Sequence, residues 1–551
     1  MSVQATFAAT LVDEWVRAGV TEAVVCPGSR STPLALALAA RSEVRLHVKL
    51  DERSAAFYAI GLSLATGVPT VVCTTSGTAA AELHPAVVEA HQGRVPLIVC
   101  TADRPPELQH VGASQTIDQI GLFTTATRWA CAPGVPESDQ HASWRPLGAR
   151  AFAEACWGPL GPGPVHLNLA FRDPLIGDAG PLPAGVGPTL VRPDPPTLRL
   201  AGAHARVFAG RGVIVAGGGA THHPARLLEL SRRLGWPVLA DPRSGCRMEG
   251  TIAAADAIVR TGPPLAEAVV LLGTPWLSKE VADYVARCAA EGAHVAAFDP
   301  WWQWTDPSHV VSEFYRSHGD AWVEAAWRDN AASDPEWLPL WQSMEVAAQV
   351  AIDGALGHDL SEPMVARALF RRAALLDAGI MVSASMPMRD LEWFAPTLPI
   401  PPVVRANRGA NGIDGVVSTA LGIAATGRRT FALLGDLAFL HDVSGLVNFS
   451  DLPCTLVVMD NGGGGIFSFL PQAAAVETER FELLFGTPPT SDVGNVARGF
   501  GLSVCEVATV PELEAALNDA APALIRVEVP GRAENVALHE SINRAVRLAL
   551  A

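Results

Sequence analysis

The chain has 551 residues, of which 49% are hydrophobic and 17% charged, and it contains 49 glycines and 43 prolines. This composition excludes a disordered or fibrous protein, and the length predicts about three domains of ordinary size. The 40 basic and 56 acidic side chains leave a formal charge of -16, which argues against nonspecific binding to nucleic acid or to an anionic membrane surface.

The N-terminal part alternates short apolar runs with helical patterns. In chain order the runs are EAVVCPGS, RLHVKL, PTVVCTT and VPLIVCTA. Continuous apolar strands separated by helices predict a parallel sheet that is covered on both faces. We assign this α/β unit to residues 1–178. Between about residues 175 and 200 the chain is crowded with proline and glycine, which predicts a linker.

The same alternation starts again twice. A middle unit, at 195–340, contains the runs RGVIVAGGGA, WPVLAD, AVVLLGT and HVAAFD, and a C-terminal unit, at 355–551, contains IMVSAS, VVRANRG, TFALLGD, TLVVMDN and ALIRVEV. Spaced tryptophans predict helices between residues 311 and 354. The predicted fold class is therefore α/β, with three parallel-sheet domains.

The nine cysteines and the apolar segments indicate where in the cell the protein is located. Several cysteines lie inside apolar runs, and no pair has the C-x-x-C spacing of a metal or redox site. Buried, reduced thiols are therefore expected. The first residues lack the basic and apolar regions of a signal peptide, and no long uncharged apolar segment follows. We expect a cytoplasmic protein with no membrane span.

The strongest chemical signal lies in the C-terminal unit. Gly435 and Asp436 follow the run TFALL, and Asn461 follows TLVVMD. Open parallel sheets bind ligands at the carboxyl ends of their strands. Oxygen ligands from Asp436, Asn461 and the backbone of Gly463 suit Mg²⁺, with Mn²⁺ as an alternative, and glycines 462–465 permit close approach of a phosphate group. Two ordinary strand-to-loop turns would also favour these residue types.

This arrangement resembles the cofactor motif of the thiamine-diphosphate enzymes related to decarboxylases and acetolactate synthase. Longer strings resemble one family among them, the 2-succinyl-5-enolpyruvyl-6-hydroxy-3-cyclohexene-1-carboxylate (SEPHCHC) synthases of menaquinone biosynthesis. These strings, in both outer units, are CPGSRSTPL, TSGTAAAEL, TADRPPELQHVGASQ, NRGANGIDGVVSTALG and GGGGIFSFLP.

The resemblance implies thiamine diphosphate with Mg²⁺ and three domains, namely pyrimidine-binding, Rossmann-like and diphosphate-binding. It implies decarboxylation of 2-oxoglutarate and conjugate addition of the succinyl-semialdehyde unit to isochorismate. It also implies a homodimer or a dimer of dimers, in which a glutamate of one subunit completes the cofactor site of another.

Glu52 would be that glutamate, because it follows the run RLHVKL and begins a helical pattern. The resemblance assigns it a catalytic role. A carboxyl that shares a proton with the aminopyrimidine ring favours the tautomer that activates the cofactor. The alternative is an acidic residue in a first helical turn, stabilised by the helix dipole.

The resemblance also implies two sets of binding residues. The two substrates are dicarboxylates, so planar arginine side chains suit them better than point charges do. The substrate-binding set is Ser29, Arg30, Arg104, Gln115, Arg389 and Arg408, with Phe467 and Leu470 as apolar walls. The cofactor-binding set is Glu52, Ser385, Ile413, Gly435, Asp436, Asn461 and Gly463. The four arginines are predicted in turns after strands, where a solvated loop cation is the alternative for each.

Three positions depart from the family pattern. Asp460 stands where the family usually has asparagine, and Ser114 replaces an asparagine beside Gln115. Gln303 stands where a basic residue is usual and supplies no charge. Either Lys279 or another cation takes its place, or substrate affinity depends on the outer units.

Three other functions compete with this interpretation. Gly217, Gly218 and Gly219 follow a strand, as in a dinucleotide-binding oxidoreductase, but His222 occupies the third glycine position of G-x-G-x-x-G, and Asp241 lies only near the expected acidic position. A different thiamine-dependent 2-keto-acid decarboxylase or carboligase would not require four site arginines. A scaffold without activity would have no use for Glu52, Asp436 and Asn461 together.

Overall fold

The computed structural model of the chain describes residues 1–185, 210–301, 303–327, 334–448, 452–518, 520 and 522–551. The predicted linker at 175–200 lies partly outside these residues. The chain forms two compact units. The first comprises Met1–Asp194, Asn407–Thr430 and Ala438–Cys454, and the second comprises Pro195–Ala406, Phe431–Leu437 and Thr455–Ala551.

The first sheet lies in the first unit. Its strands are β1 Glu22–Val25, β2 Arg45–Val48, β3 Thr70–Thr74, β4 Leu97–Asp103, β5 Trp129–Cys131 and β6 Pro164–Ala170. The accompanying helices are α1 Val3–Ala18, α2 Thr32–Ala39, α3 Glu52–Thr66, α4 Thr78–Ala81, α5 His84–Gly93 and α6 His141–Trp157. The strands run parallel in the order β2-β1-β3-β4-β6-β5.

The second sheet lies in the second unit. Its strands are β7 Gly212–Ala216, β8 Val238–Ala240, β9 Ala268–Leu272, β10 His294–Phe298 and β11 Glu313–Tyr315. Its helices are α7 Pro224–Leu234, α8 Ala255–Val259, α9 Lys279–Ala290, α10 Gly319–Trp327 and α11 Trp337–Leu356. The strand order is β11-β10-β9-β7-β8, all parallel. β11 falls where only helices were predicted, because three residues at a sheet edge carry little periodic signal.

The third sheet carries the predicted metal ligands. Its strands are β12 Gly379–Val382, β13 Val404–Arg405, β14 Thr430–Gly435, β15 Cys454–Asp460, β16 Val504–Val507 and β17 Leu524–Glu528. The helices in this part of the chain are α12 Glu362–Leu375, α13 Met386–Phe394, α14 Val416–Ala425, α15 Asp436–His441, α16 Gln472–Ala475, α17 Thr478–Phe481, α18 Val493–Gly499, α19 Val510–Ala516 and α20 Arg532–Ala549. The strand order is β13-β12-β14-β15-β17-β16. Three helix-covered parallel sheets confirm the predicted α/β class.

Within the first unit, α3 and α14 pack with their backbones close together. A Cβ at Gly61 would clash with the carbonyl oxygen of Thr419, and a Cβ at Gly422 would clash with that of Tyr58. Only glycine permits this approach. The packing therefore fixes α14, and with it the loop that precedes α14, against the helix that begins at Glu52.

All nine cysteines are free thiols, and six of them are buried. Among the described helices, none is both long enough and apolar enough to cross a membrane.

Candidate active site

The two predicted metal-binding side chains lie at the ends of adjacent strands, β14 and β15. Asp436 is buried directly after β14. Its two carboxylate oxygens accept hydrogen bonds from the backbone N–H groups of Leu437 and Gly463, each at 2.7 Å. Burial raises the pKa of Asp436 to about 6, although these N–H groups oppose the shift. Asp436 is therefore mostly ionised at neutral pH, as a cation ligand must be.

Asn461 follows β15 and is oriented by a carboxylate. Its Nδ2 donates to Oε1 of Glu362 at 2.8 Å. Its Oδ1 is buried, and none of the described residues donates a hydrogen bond to it. A buried acceptor without a partner costs about 1–3 kcal/mol. A hard divalent cation would remove that cost, so the carboxylate and amide oxygens fit the implied Mg²⁺.

Glycines after Asn461 shape the backbone beside this pair. Gly462 and Gly463 have φ values of 74° and 130°, a region that favours glycine. A Cβ at Gly463 would also clash with the carbonyl oxygen of Gly486. The N–H of Gly464 donates to that same oxygen at 2.7 Å. The loop is thus held in a conformation that brings bare backbone next to Asp436. Gly435, at the end of β14, leaves open space where a Cβ would be.

Asp460, which departs from the family pattern, has a partner of its own. Its Oδ2 accepts from Nε of Arg526 at 2.8 Å. Arg526 also lies 2.9 Å from Asp492. The carboxylate at position 460 is therefore part of an ion-pair network on the neighbouring strand β17, and this explains how the chain accommodates an acid there.

Ser385 and Arg389 lie at the start of α13. Ser385 precedes the helix with φ 76° and ψ -139°, a strained conformation of the kind that clusters at functional sites. Nη1 of Arg389 donates to the carbonyl oxygen of Ser385 at 2.9 Å. The prediction that Arg389 lies in a turn is wrong: the helix begins at Met386, and Pro387 suits its first turn.

The two predicted apolar walls follow the glycine loop. Phe467 lies in a 3-10 segment, Gly465–Phe469, with its ring 5.6 Å from that of Phe485. Leu470 follows that segment and remains 39% exposed. Both side chains are close in sequence to Gly463, but only Phe467 packs against a neighbouring ring.

In the first unit, Glu52 is the first residue of α3. Asp51 caps this helix by accepting the N–H of Ser54 at 2.7 Å. Burial raises the pKa of Glu52, and the charges of Asp51 and Glu82 add to the shift. The cap means that Glu52 is not needed to begin the helix. Its carboxyl lies at the start of the helix in a partly buried position, which favours sharing of its proton with a bound ligand.

Arg30 and Arg104 lie close together at the carboxyl ends of β1 and β4. Burial, and then the neighbouring Arg30 charge, lower the pKa of Arg104. Arg30 donates to the Phe171 carbonyl at 3.0 Å and pairs with Asp173 at 3.2 Å. Its Nε is buried without an acceptor among the described residues. Two crowded guanidinium groups with an unsatisfied donor suit an anionic ligand.

Ser76, which the sequence reasoning missed, connects this pair to Gln115. Its hydroxyl accepts a hydrogen bond from Nη1 of Arg104. The same hydroxyl donates to the carbonyl oxygen of Gln115 at 2.9 Å, and Nε2 of Gln115 donates back to the Ser76 carbonyl at 3.0 Å. Ser76 lies just after β3 in the string TSGTAAAEL, and its place in that string is the sequence signal that could have identified it. Ser29 is exposed in the turn after β1.

Arg408 and Ile413 lie in the loop between β13 and α14. Both are half-buried. Glu89, in α5, anchors this loop: its carboxylate oxygens accept from the backbone N–H groups of Gly409 at 2.7 Å and Ala410 at 2.6 Å. Sequence reasoning missed Glu89, because nothing in its helical surroundings indicates a partner more than three hundred residues away.

In the second sheet, the acid nearest to the position expected in a dinucleotide site already has a partner. A Cβ at Gly217 would clash with the carbonyl oxygen of Thr274, so this glycine serves close packing of two loops. Asp241 is fully buried and pairs with Arg243 at 2.6 Å. It is therefore not available to bind a ribose. Lys279 begins α9 and is largely exposed, 4.0 Å from Asp283.

The predicted site residues thus form two groups, one in each unit. The first unit contains Glu52, Ser29, Arg30, Arg104, Gln115, Arg408 and Ile413. The second unit contains Ser385, Arg389, Gly435, Asp436, Asn461, Gly463, Phe467 and Leu470. The first group carries three of the four predicted arginines and Glu52, and the second carries Arg389 and the oxygen atoms that would hold a metal.

Comparison with known protein families gives three matches along the chain. Residues 5–122 match the thiamine pyrophosphate enzyme N-terminal TPP binding domain. Residues 197–376 match the middle domain of thiamine pyrophosphate enzymes, and residues 403–528 match the C-terminal TPP binding domain.

Three relatives that cover most of this chain share one name, 2-succinyl-5-enolpyruvyl-6-hydroxy-3-cyclohexene-1-carboxylate synthase. The protein from Thermobifida fusca is 42% identical over 100% of both chains. That from Chloroflexus aurantiacus is 42% identical over 87% of this chain and 85% of its own. That from Myxococcus xanthus is 40% identical over 89% of this chain and 88% of its own.

Proposed function

Because this chain belongs to the SEPHCHC synthase family of thiamine-diphosphate enzymes, we propose that it decarboxylates 2-oxoglutarate and joins the succinyl-semialdehyde unit to isochorismate in menaquinone biosynthesis. Asp436 and Asn461 carry this assignment at the level of the site. They present an ionised carboxylate and an unsatisfied amide oxygen at the ends of adjacent strands. A different thiamine-dependent carboligase would share these two residues. The assignment of the substrates therefore depends on the family and on the arginines.

Asp436, Asn461 and the Gly463 carbonyl would hold Mg²⁺, or Mn²⁺, against the diphosphate of the cofactor. When bound, thiamine diphosphate supplies the electron sink that decarboxylation of a 2-keto acid requires. The glycine loop, with φ of 130° at Gly463, gives the diphosphate room beside the metal ligands. Ser385 and Ile413 complete the proposed cofactor contacts.

Glu52 would exchange a proton with the aminopyrimidine ring of the cofactor. Burial already raises the pKa of its carboxyl. A raised pKa brings the carboxyl nearer to the basicity of the ring nitrogen, which favours sharing of the proton between them. Glu52 is the one residue for which we propose a catalytic role.

The arginines would orient the substrate carboxylates. Arg30 and Arg104 form one cationic cluster with Ser29, Ser76 and Gln115 around it. Arg389 and Arg408 are two further guanidinium groups, and planar bidentate contacts would set the direction of each carboxylate.

Phe467 and Leu470 would exclude water from the reacting atoms. Decarboxylation disperses the charge of a carboxylate, so low polarity around it favours the loss of CO₂.

We further propose a cytoplasmic homodimer or dimer of dimers. Six buried thiols suit a reducing compartment. Glu52 belongs to a different unit from Asp436 and Asn461, as in enzymes where one subunit completes the cofactor site of another. Light scattering of the purified protein tests the oligomeric state, and a monomer that retains full activity would overturn it.

The decisive experiment is an assay with thiamine diphosphate, Mg²⁺, 2-oxoglutarate and isochorismate. Isochorismate absorbance and product mass are followed, and each component is omitted in turn. We expect consumption that requires all four components and a product equal to isochorismate plus the decarboxylated keto acid. Release of CO₂ only from another keto acid would leave the cofactor in place but overturn the substrates, and absence of thiamine diphosphate binding would overturn the whole assignment.

A further inference from the structure

Glu362 lies behind Asn461 and has no role in the proposed chemistry. It is the first residue of α12, and only 1% of it is exposed. Its Oε1 accepts a hydrogen bond from Nδ2 of Asn461 at 2.8 Å. The two residues are separated by 99 positions in the chain, so this contact exists only in the folded protein.

An asparagine amide has two ends of nearly equal size but opposite hydrogen-bonding character. Its nitrogen only donates, and its oxygen only accepts. With Nδ2 directed at Glu362, Oδ1 of Asn461 points away from the carboxylate, buried and without a donor among the described residues. The carboxyl of Glu362 also shares a hydrogen bond with Asp390, and a proton held between these two acids leaves Oε1 as the acceptor for Asn461. The reverse orientation of the amide would place two acceptors against each other and turn an N–H group toward a cation. Oε1 of Glu362 therefore selects the end of the amide that a metal can use.

From this contact we propose that Glu362 is a positioning residue that holds Oδ1 of Asn461 toward the divalent cation. The inference rests on the proposed function, because it assigns a role at the same metal site. Glu362 itself does not contact the metal. It acts through Asn461, as partners of metal ligands commonly do.

The surroundings keep Glu362 in place. Ser361 caps α12 and Pro363 occupies its first turn, so the start of the helix holds the backbone at Glu362 in place. The Glu362 carboxyl also shares a hydrogen bond with Asp390, which is fully buried in α13. Nε2 of His539 is 3.0 Å from Oδ1 of Asp390. A side chain enclosed in this way has little freedom to move, so it holds the Asn461 amide in one orientation.

The test compares two substitutions that differ in one property. Glu362→Met keeps the approximate length of the side chain but removes the acceptor, whereas Glu362→Gln retains an acceptor oxygen for Asn461 and can turn its amide N–H toward Asp390. Each protein is titrated with Mg²⁺ at a fixed, saturating concentration of thiamine diphosphate, and retained cofactor is measured by equilibrium dialysis. We expect Glu362→Met to weaken the apparent Mg²⁺ affinity by ~10–100-fold and Glu362→Gln to remain within about threefold of the wild type. Saturating Mg²⁺ should restore cofactor binding to Glu362→Met, which a general packing defect would not allow.

A matched control is available in the same unit. Glu345 is also buried, and its carboxylate accepts the N–H groups of Ala253 and Ala254. Glu345→Met should lower stability without a change in Mg²⁺ affinity. If Glu362→Met does not fold, Glu362→Asp takes its place, because it withdraws the acceptor by one methylene and should weaken Mg²⁺ binding several-fold.

Two results would overturn the inference: unchanged Mg²⁺ affinity in the folded Glu362→Met or Glu362→Asp protein, or equal losses in Glu362→Met and Glu362→Gln. A wild-type protein that retains no thiamine diphosphate with Mg²⁺ would instead overturn the proposed function, so the two failures are distinguishable.

Discussion

The carboxylate of Glu89 accepts the backbone N–H of Gly409 at 2.7 Å and so connects α5 to the loop before α14. Glu89 is 4% exposed, and its other oxygen accepts the N–H of Ala410 at 2.6 Å. A Cβ at Gly409 would clash with the carbonyl oxygen of Glu89, so the two backbones are as close as glycine permits. The position of Arg408, one residue earlier, depends on this anchor.

Removal of the anchor should affect both stability and substrate binding. Glu89→Ala leaves the N–H groups of half-buried Gly409 and exposed Ala410 without this acceptor, which costs about 1–3 kcal/mol in the free energy of unfolding. We expect a higher KM for the substrates, because the loop that carries Arg408 loses its support. Urea unfolding and steady-state kinetics measure the two effects. Glu89→Gln, which keeps one acceptor, should lie between wild type and Glu89→Ala, and a Glu89→Ala protein with unchanged stability would contradict the anchoring role.

Glu52→Gln should abolish most turnover without disturbing the fold. The helix cap belongs to Asp51, so α3 does not depend on the Glu52 carboxyl. Loss of a positioned acid–base group reduces kcat by ~10²–10⁴-fold. The assay with both substrates measures kcat, and circular dichroism checks the fold. Glu82→Gln, at an exposed acid whose charge reaches Glu52, is the control and should stay within a few-fold of wild type. Near-normal turnover of Glu52→Gln would remove its proposed role.

Asp436→Ala should prevent Mg²⁺-dependent binding of thiamine diphosphate. The substitution removes an ionised ligand, and loss of even an indirect partner of a ligand weakens metal binding by ~10–100-fold. We therefore expect a loss of at least ~100-fold in apparent Mg²⁺ affinity, measured by calorimetry in the presence of thiamine diphosphate. Asp460→Asn is the matched control, because that carboxylate is already paired with Arg526. Equal losses in the two variants would contradict the assignment of Asp436.

Arg104→Ala should impair substrate use far more than cofactor binding. A hydrogen bond to a charged group contributes about 1.5–3 kcal/mol, which corresponds to a KM increase of ~10–150-fold for the substrate that Arg104 holds. The dissociation constant of thiamine diphosphate should stay unchanged. Arg172→Ala, at an exposed surface ion pair with Glu107, provides a control without effect on KM. Parallel defects in cofactor and substrate binding would argue for a structural role of Arg104.

His166 should make the protein less stable in acid. It is 1% exposed in β6, and its Nε2 lies 2.8 Å from the Thr101 hydroxyl, which itself donates to Asn168. Burial lowers the pKa of His166 from 6.5 to about 4. Since the folded state disfavours the charged ring, this contribution to stability is full above pH 6.5 and is lost as the pH falls toward 4.

The total loss of stability from His166 is about 3 kcal/mol, because each tenfold change in proton affinity corresponds to about 1.4 kcal/mol. Urea unfolding at pH 7 and at pH 5 measures most of it. His166→Gln, which keeps a donor for Thr101 but does not titrate, should show a smaller difference between the two pH values. An identical pH dependence in both proteins would exclude His166 as the cause.

The sequence by itself determined the fold class and most of the strands, and it placed the two proposed metal-binding positions at the ends of strands. These features are local: a buried parallel strand appears as a continuous apolar run, and the residues after it lie at the carboxyl edge of the sheet. The strand that carries Asp436 and the one that carries Asn461 were both predicted, and they are neighbours in the third sheet. The edge strands β5, β11 and β16 were not predicted, because three or four residues at an edge carry too little pattern. The buried strand β6 was also missed, because His166 and Asn168 interrupt its apolar run.

Only the tertiary structure decided which side chains support the site. Glu362 lies against Asn461 and Glu89 against Gly409, although 99 and 320 positions separate them in the chain. Neither glutamate differs in its local sequence from an ordinary helical acid. Their roles arise because folding buries each carboxylate beside hydrogen-bond donors from distant segments of the chain. A buried polar group without a hydrogen bond is costly, so the carboxylate and these donors pair.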